Sequence, residues 1–481
     1  MTGLLLTGTS SDAGKSALVT GLCGALRNRG IDVVPFKSQN MSNNSMVCPD
    51  GAEIGRAQYL QATAAEVTPE AAMNPVLLKP GTDRRSFIVL MGRADGELDA
   101  GEYATGRRHL AEAAYDAYRD LASRHEIVVC EGAGSPAEIN LRQGDYVNMG
   151  LARRFGLPTV VIGDIDRGGV LASLYGTWAL LEPDDRALLK GYVINKFRGD
   201  ADLLEPGLRE ITARTGLANL GVMPWLDDVW IDGEDALRVD RWPTQHGDDD
   251  SLLVAAVRLP RISNSTDIDA LATEPGVKVQ VTADPTVCAR ADLVVLPGSR
   301  ATVDDLAWLR ERGIGAVITQ RRRENRPVLG ICGGFEMMAS TIDDDIESSS
   351  GRVPGLGVLP VSFRFDDDKI VRTARYHYEG LPVEGYEIHH GRFEMTGGEP
   401  FLDGVREANS FGTMLHGSLE NDDFRRHFLR LVARETGSTW QPDETRPGYQ
   451  QLRAAMITTL SQAMERFVDV DALLTMAGLS Q

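Results

Sequence analysis

Two periodicities alternate along the first half of the chain. Short apolar runs rich in Val, Ile and Leu read as strands: "GLLLTG" (3–8), "DVVPFK" (32–37), "EIVVCEG" (126–132), "PTVVIGDID" (158–166) and "LKGYVINKF" (189–197). Between them, "KSALVTGLCGALRNRG" (15–30) and "LAEAAYDAYRDLASRH" (110–125) space their apolar residues by three and four, as one face of a helix does. Strands alternating with helices predict a parallel, doubly wound sheet. The polar stretch "WPTQHGDDDS" (242–251) interrupts the pattern with Pro, Gly and an aspartate run and reads as a linker. A second αβ pattern follows in "LLVAAVRLP", "VKVQVTA", "ADLVVLPGS" and "RPVLGIC". From about Gln441 the chain turns helical, with Leu452, Met456, Leu460, Met464 and Phe467 on one face, which reads as a docking face. The expected organisation is therefore an α/β unit over 1–240, a linker over 241–251, a second α/β unit over 252–440 and a helical extension over 441–481.

The first strand opens into "GTSSDAGKS", a Gly-rich loop from Gly8 to Ser16 that leads into a helix. It resembles a Walker A loop with five residues instead of four between Gly8 and Gly14. Backbone N–H groups at such a helix start, around Asp12 and Gly14, cradle phosphate; Lys15 reaches terminal phosphates and the Ser16 hydroxyl suits Mg²⁺. Glu131 ends one strand, and Asp164 and Asp166 end the next, where ligands of parallel sheets gather. Asn195, ending another, is a candidate reader of an adenine edge. In the second half, Cys332 stands between a strand and a helix and before Gly333 and Gly334, the layout of a nucleophile elbow. The glycines are expected to supply a turn that a Cβ would hinder.

Length, charge and cysteines narrow the class. At 481 residues the chain is too long for one core. No apolar run reaches membrane-spanning length, and the N-terminus lacks the basic stretch of a signal peptide. Five scattered cysteines, an odd number with no CxxC pair, point to a reduced, cytoplasmic setting without a disulfide frame. A net charge of −19 argues against nucleic acid or an anionic membrane as partner. An anionic ligand must then be met by local cations, for which Lys37, Arg56, Lys79, Arg84, Arg85, Arg167 and Arg198 are candidates.

"PFKSQNMSNNS", "EIGRAQYLQA", "MNPVLLKPG", "GDIDRGG" and "INKFRGD", followed by "LPGSRATVDDL", "GICGGFEMM", "GYEIHHG" and "GTMLHGS", run in order through nearly the whole chain. In these stretches the sequence resembles the cobyric acid synthase family, glutamine-dependent amide ligases of cobalamin biosynthesis. It departs at "NMSNNS", where Ser42 and Asn43 replace the family's more usual Ala-Leu. The resemblance implies an N-terminal P-loop domain of the dethiobiotin synthetase type and a C-terminal, flavodoxin-like domain of the class I glutamine amidotransferase type. It implies ATP- and Mg²⁺-dependent amidation of the b, d, e and g carboxylates of adenosylcobyrinic acid a,c-diamide through an acyl phosphate. Carried over, Ser16 and Glu131, with Glu53 by analogy, hold the metal. Lys37, Gln39, Asn40, Arg84, Arg85, Asp164, Asp166 and Arg167 face the corrinoid polycarboxylate. Cys332 attacks glutamine, His416 is its base, and Gly333 with Gly298 and Ser299 forms the oxyanion hole.

Ser418 stands where most triad amidotransferases carry the Glu that orients the histidine, which leaves open what orients His416. His389 and His390 invite a metal reading, but strand neighbours face opposite ways, so a strand exit is expected. Two alternatives remain: an a,c-diamide synthase, and a nucleotide-dependent switch without catalysis.

Overall fold

The computed structural model describes residues 2–81, 85–99, 108–227, 229–230 and 251–479. The expected linker over 241–250 and Arg84 lie outside the described residues, as does the side chain of Arg85.

Six parallel strands form the N-terminal sheet: β1 (Gly3–Gly8), β2 (Val33–Phe36), β3 (Ile127–Glu131), β4 (Thr159–Asp164), β5 (Leu189–Phe197) and β6 (Ala218–Pro224), in the order β6-β5-β4-β1-β3-β2. β1 to β4 are buried throughout, which is why they read as continuous apolar runs rather than alternating ones. Helix α1 (Lys15–Asn28) follows β1, and α2 (Arg56–Ala65) packs beside it. A side sheet of Gln39–Met41, Val76–Pro80, Arg85–Leu90 and Arg93–Asp99 rises from this unit.

The second sheet has seven strands: β7 (Leu252–Val257), β8 (Val277–Thr282), β9 (Leu293–Leu296), β10 (Val328–Ile331), β11 (Glu399–Phe401), β12 (Gly404–Glu407) and β13 (Ser410–Thr413). Their order is β8-β7-β9-β10-β13-β12-β11, parallel through β13 and antiparallel at the β12–β11 edge. The first four strands keep the 2-1-3-4 order of flavodoxin-like sheets. Helix α3 (Gly333–Met338) follows β10. A long hairpin, Val361–Tyr378 with Leu381–Met395, was not expected from the sequence; its register shifts between Phe365 and Ile370. It leans on residues 45–47 of the N-terminal unit, where Val47, Tyr386 and Ile388 share a small core.

The C-terminal helix α4 (Tyr449–Phe467) returns to the N-terminal unit and crosses α1 closely. Leu460 and Met464, from the apolar face expected to dock, are buried there. A Cβ at Gly21 would lie 2.9 Å from the Leu460 carbonyl oxygen, so the crossing depends on that glycine. Among the described residues no helix is long and apolar enough to cross a membrane.

Candidate active sites

The loop after β1 turns through two left-handed residues, Asp12 (φ 59°) and Gly14 (φ 93°). A Cβ at Gly14 would also strike the Asn195 amide. That amide donates to the Ala13 carbonyl (2.9 Å), so Asn195 braces the loop instead of standing free to read a base. Lys15 lies along the loop, its Nζ on the carbonyls of Ser10 (3.3 Å) and Gly134 (3.4 Å). The Ser16 hydroxyl donates to Glu131 Oε1 (2.9 Å). Lys37 Nζ donates to the same oxygen (2.9 Å), and Gln61 Nε2 to the other (2.5 Å). Burial works to raise the Glu131 pKa, but the Lys37 ammonium, with Lys15 and Gln61, holds it below the usual carboxylate range. Two hard oxygens 2.9 Å apart, on Ser16 and Glu131, suit Mg²⁺ that takes its other ligands from phosphate and water. Among the described residues no group of three or more His, Cys, Asp or Glu side chains is arranged around a metal position.

Lys15, Lys37, Gln39, Asn40, Arg142 and Asn148 line one cleft. Asp164, Asp166 and Arg167, expected at the same substrate, do not line it. The sheet order is the reason: the cleft opens over β3, whereas Asp164 ends β4 and Asp166 and Arg167 follow it, on the other flank of β1. They form a polar group of their own. Asp164 binds Lys196 (2.5 Å), Asp166 pairs with Arg198, and Arg167 reaches Asp12 (3.3 Å). Lys196, which the sequence reading passed over, also donates to the Asp12 carbonyl (2.5 Å) and so ties β5 to the loop. Beside Gly14 lies an apolar slot walled by Met223, Trp225 and Leu226 and, from α4, Leu460 and Met464. The C-terminal helix therefore contributes to the wall of a pocket as well as to docking.

Glu53 is not brought to Ser16 and Glu131. Its buried carboxylate is held between Lys79 (2.5 Å) and Lys369 (2.6 Å), with Ser45 Oγ at 2.8 Å. Burial opposes its charge, and the two ammoniums, Lys369 first, pull its pKa far below the usual range. Two cations already neutralise it, so the structure does not favour Glu53 as a second metal ligand. Arg56, another of the candidate cations, pairs with Glu420 (2.6 Å) near the second site.

Cys332 caps α3 with φ 51° and ψ −114°, a conformation non-glycine residues rarely hold. The expectation that the glycines supply the left-handed turn is corrected here: the cysteine carries it, and Gly333 and Gly334 serve close packing. A Cβ on Gly333 would lie 2.7 Å from the Ser299 nitrogen, and one on Gly334 would run into the Leu296 carbonyl. The same contact brings Gly333 against Ser299, and a Cβ on the preceding Gly298 would sit 3.1 Å from His416 Cε1. Ser299 Oγ is itself fixed by Asp305 (2.6 Å). Burial pushes the Cys332 thiol well up, and Glu336 adds to this; the Gly333 N–H acts the other way.

His416 is fully buried and stacks on Tyr386 (centroids 5.3 Å apart). Its Nδ1 meets Asp267 Oδ2 at 2.6 Å, and Asp267 Oδ1 accepts the Gly417 N–H (2.8 Å). A carboxylate only accepts, so Nδ1 carries a proton, and in the neutral ring the lone pair is then on Nε2. Nε2 has no hydrogen-bond partner among the described residues. Asp267 answers the question left by Ser418. No spacing along the chain points to it, because it lies 149 positions away in a short helical turn, Ser265–Ile268. His389 and His390 sit inside the strand Leu381–Met395, not at its exit, and both border the Cys332 cavity. The register shift opposite them explains why two neighbours reach one cavity.

Residues 4–238 match the CobQ/CobB/MinD/ParA nucleotide binding domain, and residues 253–424 match the CobB/CobQ-like glutamine amidotransferase domain. A cobyric acid synthase of Cutibacterium acnes is 61% identical over 480 residues, 98% of this chain and 99% of that protein. A cobyric acid synthase of Mycolicibacterium gilvum is 54% identical over 99% of this chain and 97% of its own.

Proposed function

The chain belongs to the cobyric acid synthase family, and from that premise we propose how its two sites divide the reaction. It is a glutamine-hydrolysing carbon–nitrogen ligase with a nucleotide-binding domain. The reaction we assign is stepwise amidation of the b, d, e and g carboxylates of adenosylcobyrinic acid a,c-diamide, with ATP and glutamine. A corrinoid carboxylate lies in the cleft of Lys37, Gln39 and Asn40, and its oxygen attacks the terminal phosphorus of ATP. The acyl phosphate forms and ADP leaves; Lys15 and Lys37 offset the charge that builds on the phosphoryl oxygens. Ser16 and Glu131 are the residues that would hold Mg²⁺, which supplies further charge neutralisation. The apolar slot at Trp225 and Met464 suits a base.

In the other domain His416 Nε2 takes the Cys332 proton and the thiolate attacks the glutamine carboxamide carbon. The oxyanion faces the N–H groups of Gly333 and the Gly298–Ser299 segment. His416 returns the proton to the departing ammonia, and water hydrolyses the thioester to glutamate. Ammonia then attacks the acyl phosphate and inorganic phosphate leaves. One observation carries the reading: a cysteine on a strained elbow, whose neighbour Gly333 packs on Ser299, and a histidine packed on Gly298, held by Asp267 with Nε2 unpartnered among the described residues, flank the same two-residue segment. A nucleotide switch has no use for that arrangement. Cys332→Ala tests it. Amidation with glutamine should be abolished, and amidation with ammonium salts at alkaline pH should persist. Substantial glutamine-dependent activity in the variant would place the nucleophile elsewhere.

A further inference from the structure

The cavity at Cys332 is not built by the C-terminal domain alone. Its wall includes Lys79, from the strand Val76–Pro80 of the N-terminal side sheet. Lys79 is 4% exposed, and its Nζ donates to Glu53 Oε1 (2.5 Å) and Ser45 Oγ (3.0 Å). An ammonium has three protons, and these two bonds use two of them. Glu53 also accepts from Lys369 (2.6 Å), which lines the same cavity from the hairpin bulge, so one carboxylate joins a lysine from each domain. Arg300 borders the cavity as well, paired with Glu347 and stacked over Phe87 of the side sheet (3.7 Å to the centroid). Its Nε is buried without a partner among the described residues. Further backbone ties hold the junction: Ser45 N–H to Asn264 Oδ1 (2.9 Å) and Ser265 N–H to Asn44 Oδ1 (3.1 Å).

The charges do not cancel. Three cationic side chains, Lys79, Lys369 and Arg300, are paired with only two carboxylates, Glu53 and Glu347. The pKa of the third carboxyl, Glu336, is raised to about 8 by burial and then by the Glu347 charge, and burial lowers that of Lys79 to about 8 against the pull of Glu53, so the protonated form is favoured in both at neutral pH. A net positive, water-poor wall next to a thiol, in a chain of net charge −19, selects for a small molecule with an anionic end.

We propose that this wall is the subsite for the amino-acid head of glutamine, in which Lys79 of the ligase domain, with Lys369 and Arg300, receives the α-carboxylate while Glu347 faces the α-ammonium. The subsite rests on the reading of Cys332 as the glutaminase nucleophile. It makes Lys79 a specificity residue acting across the domain boundary: glutamine affinity depends on the ligase domain being docked.

The test measures side-chain deamidation by the full-length enzyme with ATP and corrinoid present, as glutamate formed from glutamine and glutamate α-amide formed from its α-carboxamide analogue, and measures ammonia-driven amidation in parallel. The wild type should prefer glutamine over the analogue by about a hundredfold in kcat/KM, the scale of losing one partner of a buried charge contact. Lys79→Met should raise KM for glutamine about tenfold or more and shrink the preference by a similar factor, with ammonia-driven amidation unchanged. Lys79→Arg should recover part of the preference. Should Lys79→Met fail to fold, Lys369→Met is required to show the same loss of preference. Equal losses for glutamine and analogue would make Lys79 a structural support and overturn the subsite. Loss of ammonia-driven amidation in folded Lys79→Met would assign it to the corrinoid site and overturn it too. Glutamine hydrolysis that survives Cys332→Ala would instead sink the underlying glutaminase reading, so the two failures are told apart.

Discussion

At the residue scale, the proposed role of His416 as general base rests on a single carboxylate. Asp267 both fixes the tautomer through Nδ1 and anchors the following residue through the Gly417 N–H. Asp267→Asn keeps the size but can present an N–H to Nδ1, which favours the wrong tautomer. Glutamine-driven turnover should fall by roughly 10²–10⁴-fold, as in triads that lose this carboxylate, with ammonia-driven turnover retained. Ser418→Ala should cost less than about tenfold, or about 1.4 kcal/mol of barrier, because another residue holds the histidine. Steady-state glutaminase assays on the two variants decide between them. Glu336 makes a pH-dependent case. Burial, then the Glu347 and Asp344 charges, raises its pKa to about 8, while Thr302 and Arg300 act against the shift. The folded state thus holds a proton that the unfolded chain releases above the ordinary carboxylate range, so this group's contribution to stability falls as pH rises toward 8. Above that, a new carboxylate beside Cys332 makes the thiolate harder to form. Glu336→Gln cannot ionise. It should flatten the fall of melting temperature between about pH 5 and 8 and extend glutaminase activity on the alkaline side. An unchanged alkaline limb would remove Glu336 from control of the thiol.

At the element scale, the crossing of α1 and α4 links the last helix to the phosphate loop. α1 begins at Lys15, and α4 brings Leu460 and Met464 both onto α1 and into the slot beside Gly14. The helices meet this closely because Gly21 and Gly24 offer no side chain, and Ser461 sits against Gly24. Gly21→Leu should push α4 away and destabilise the protein by about 1–3 kcal/mol, the usual cost of overpacking. Nucleotide affinity should weaken with it, since the slot loses its α4 wall; thermal unfolding with titration of a fluorescent ATP analogue measures both. The apolar face of this helix was legible from spacing alone. Its partner was not, because an apolar stripe states that something is covered and not by what.

At the scale of the whole molecule, the two candidate sites sit in two domains joined by polar ties beside a small apolar contact of Val47, Tyr386 and Ile388. Asn44 and Ser45 of the "NMSNNS" stretch bond to residues 264 and 265, and Arg56 pairs with Glu420, two residues beyond Ser418. The departure from the family pattern in that stretch thus lies beside the domain contact. Separate sites predict separable losses. Lys15→Ala should abolish amidation with either nitrogen source, because the terminal phosphate loses its cation, yet leave basal glutamine hydrolysis. Normal ATP turnover in this variant, read as phosphate release, would remove the loop from the reaction.

Elements and groups whose cues are local were legible along the chain. Buried parallel strands are apolar on both faces, a phosphate loop is nine consecutive residues, and a nucleophile elbow needs small neighbours. Gly8 to Ser16, Glu131 and Cys332 could therefore be found by reading along the chain. Tertiary structure alone decided the groups whose partners are remote. Asp267 reaches His416 across 149 positions, Glu53 joins Lys79 and Lys369 at a domain boundary, and Asp164 is parted from Lys37 by the order of strands in the sheet. Hydrogen bonds and ion pairs act over a few ångströms of space, and no spacing along a chain records which distant segments the fold brings within that reach.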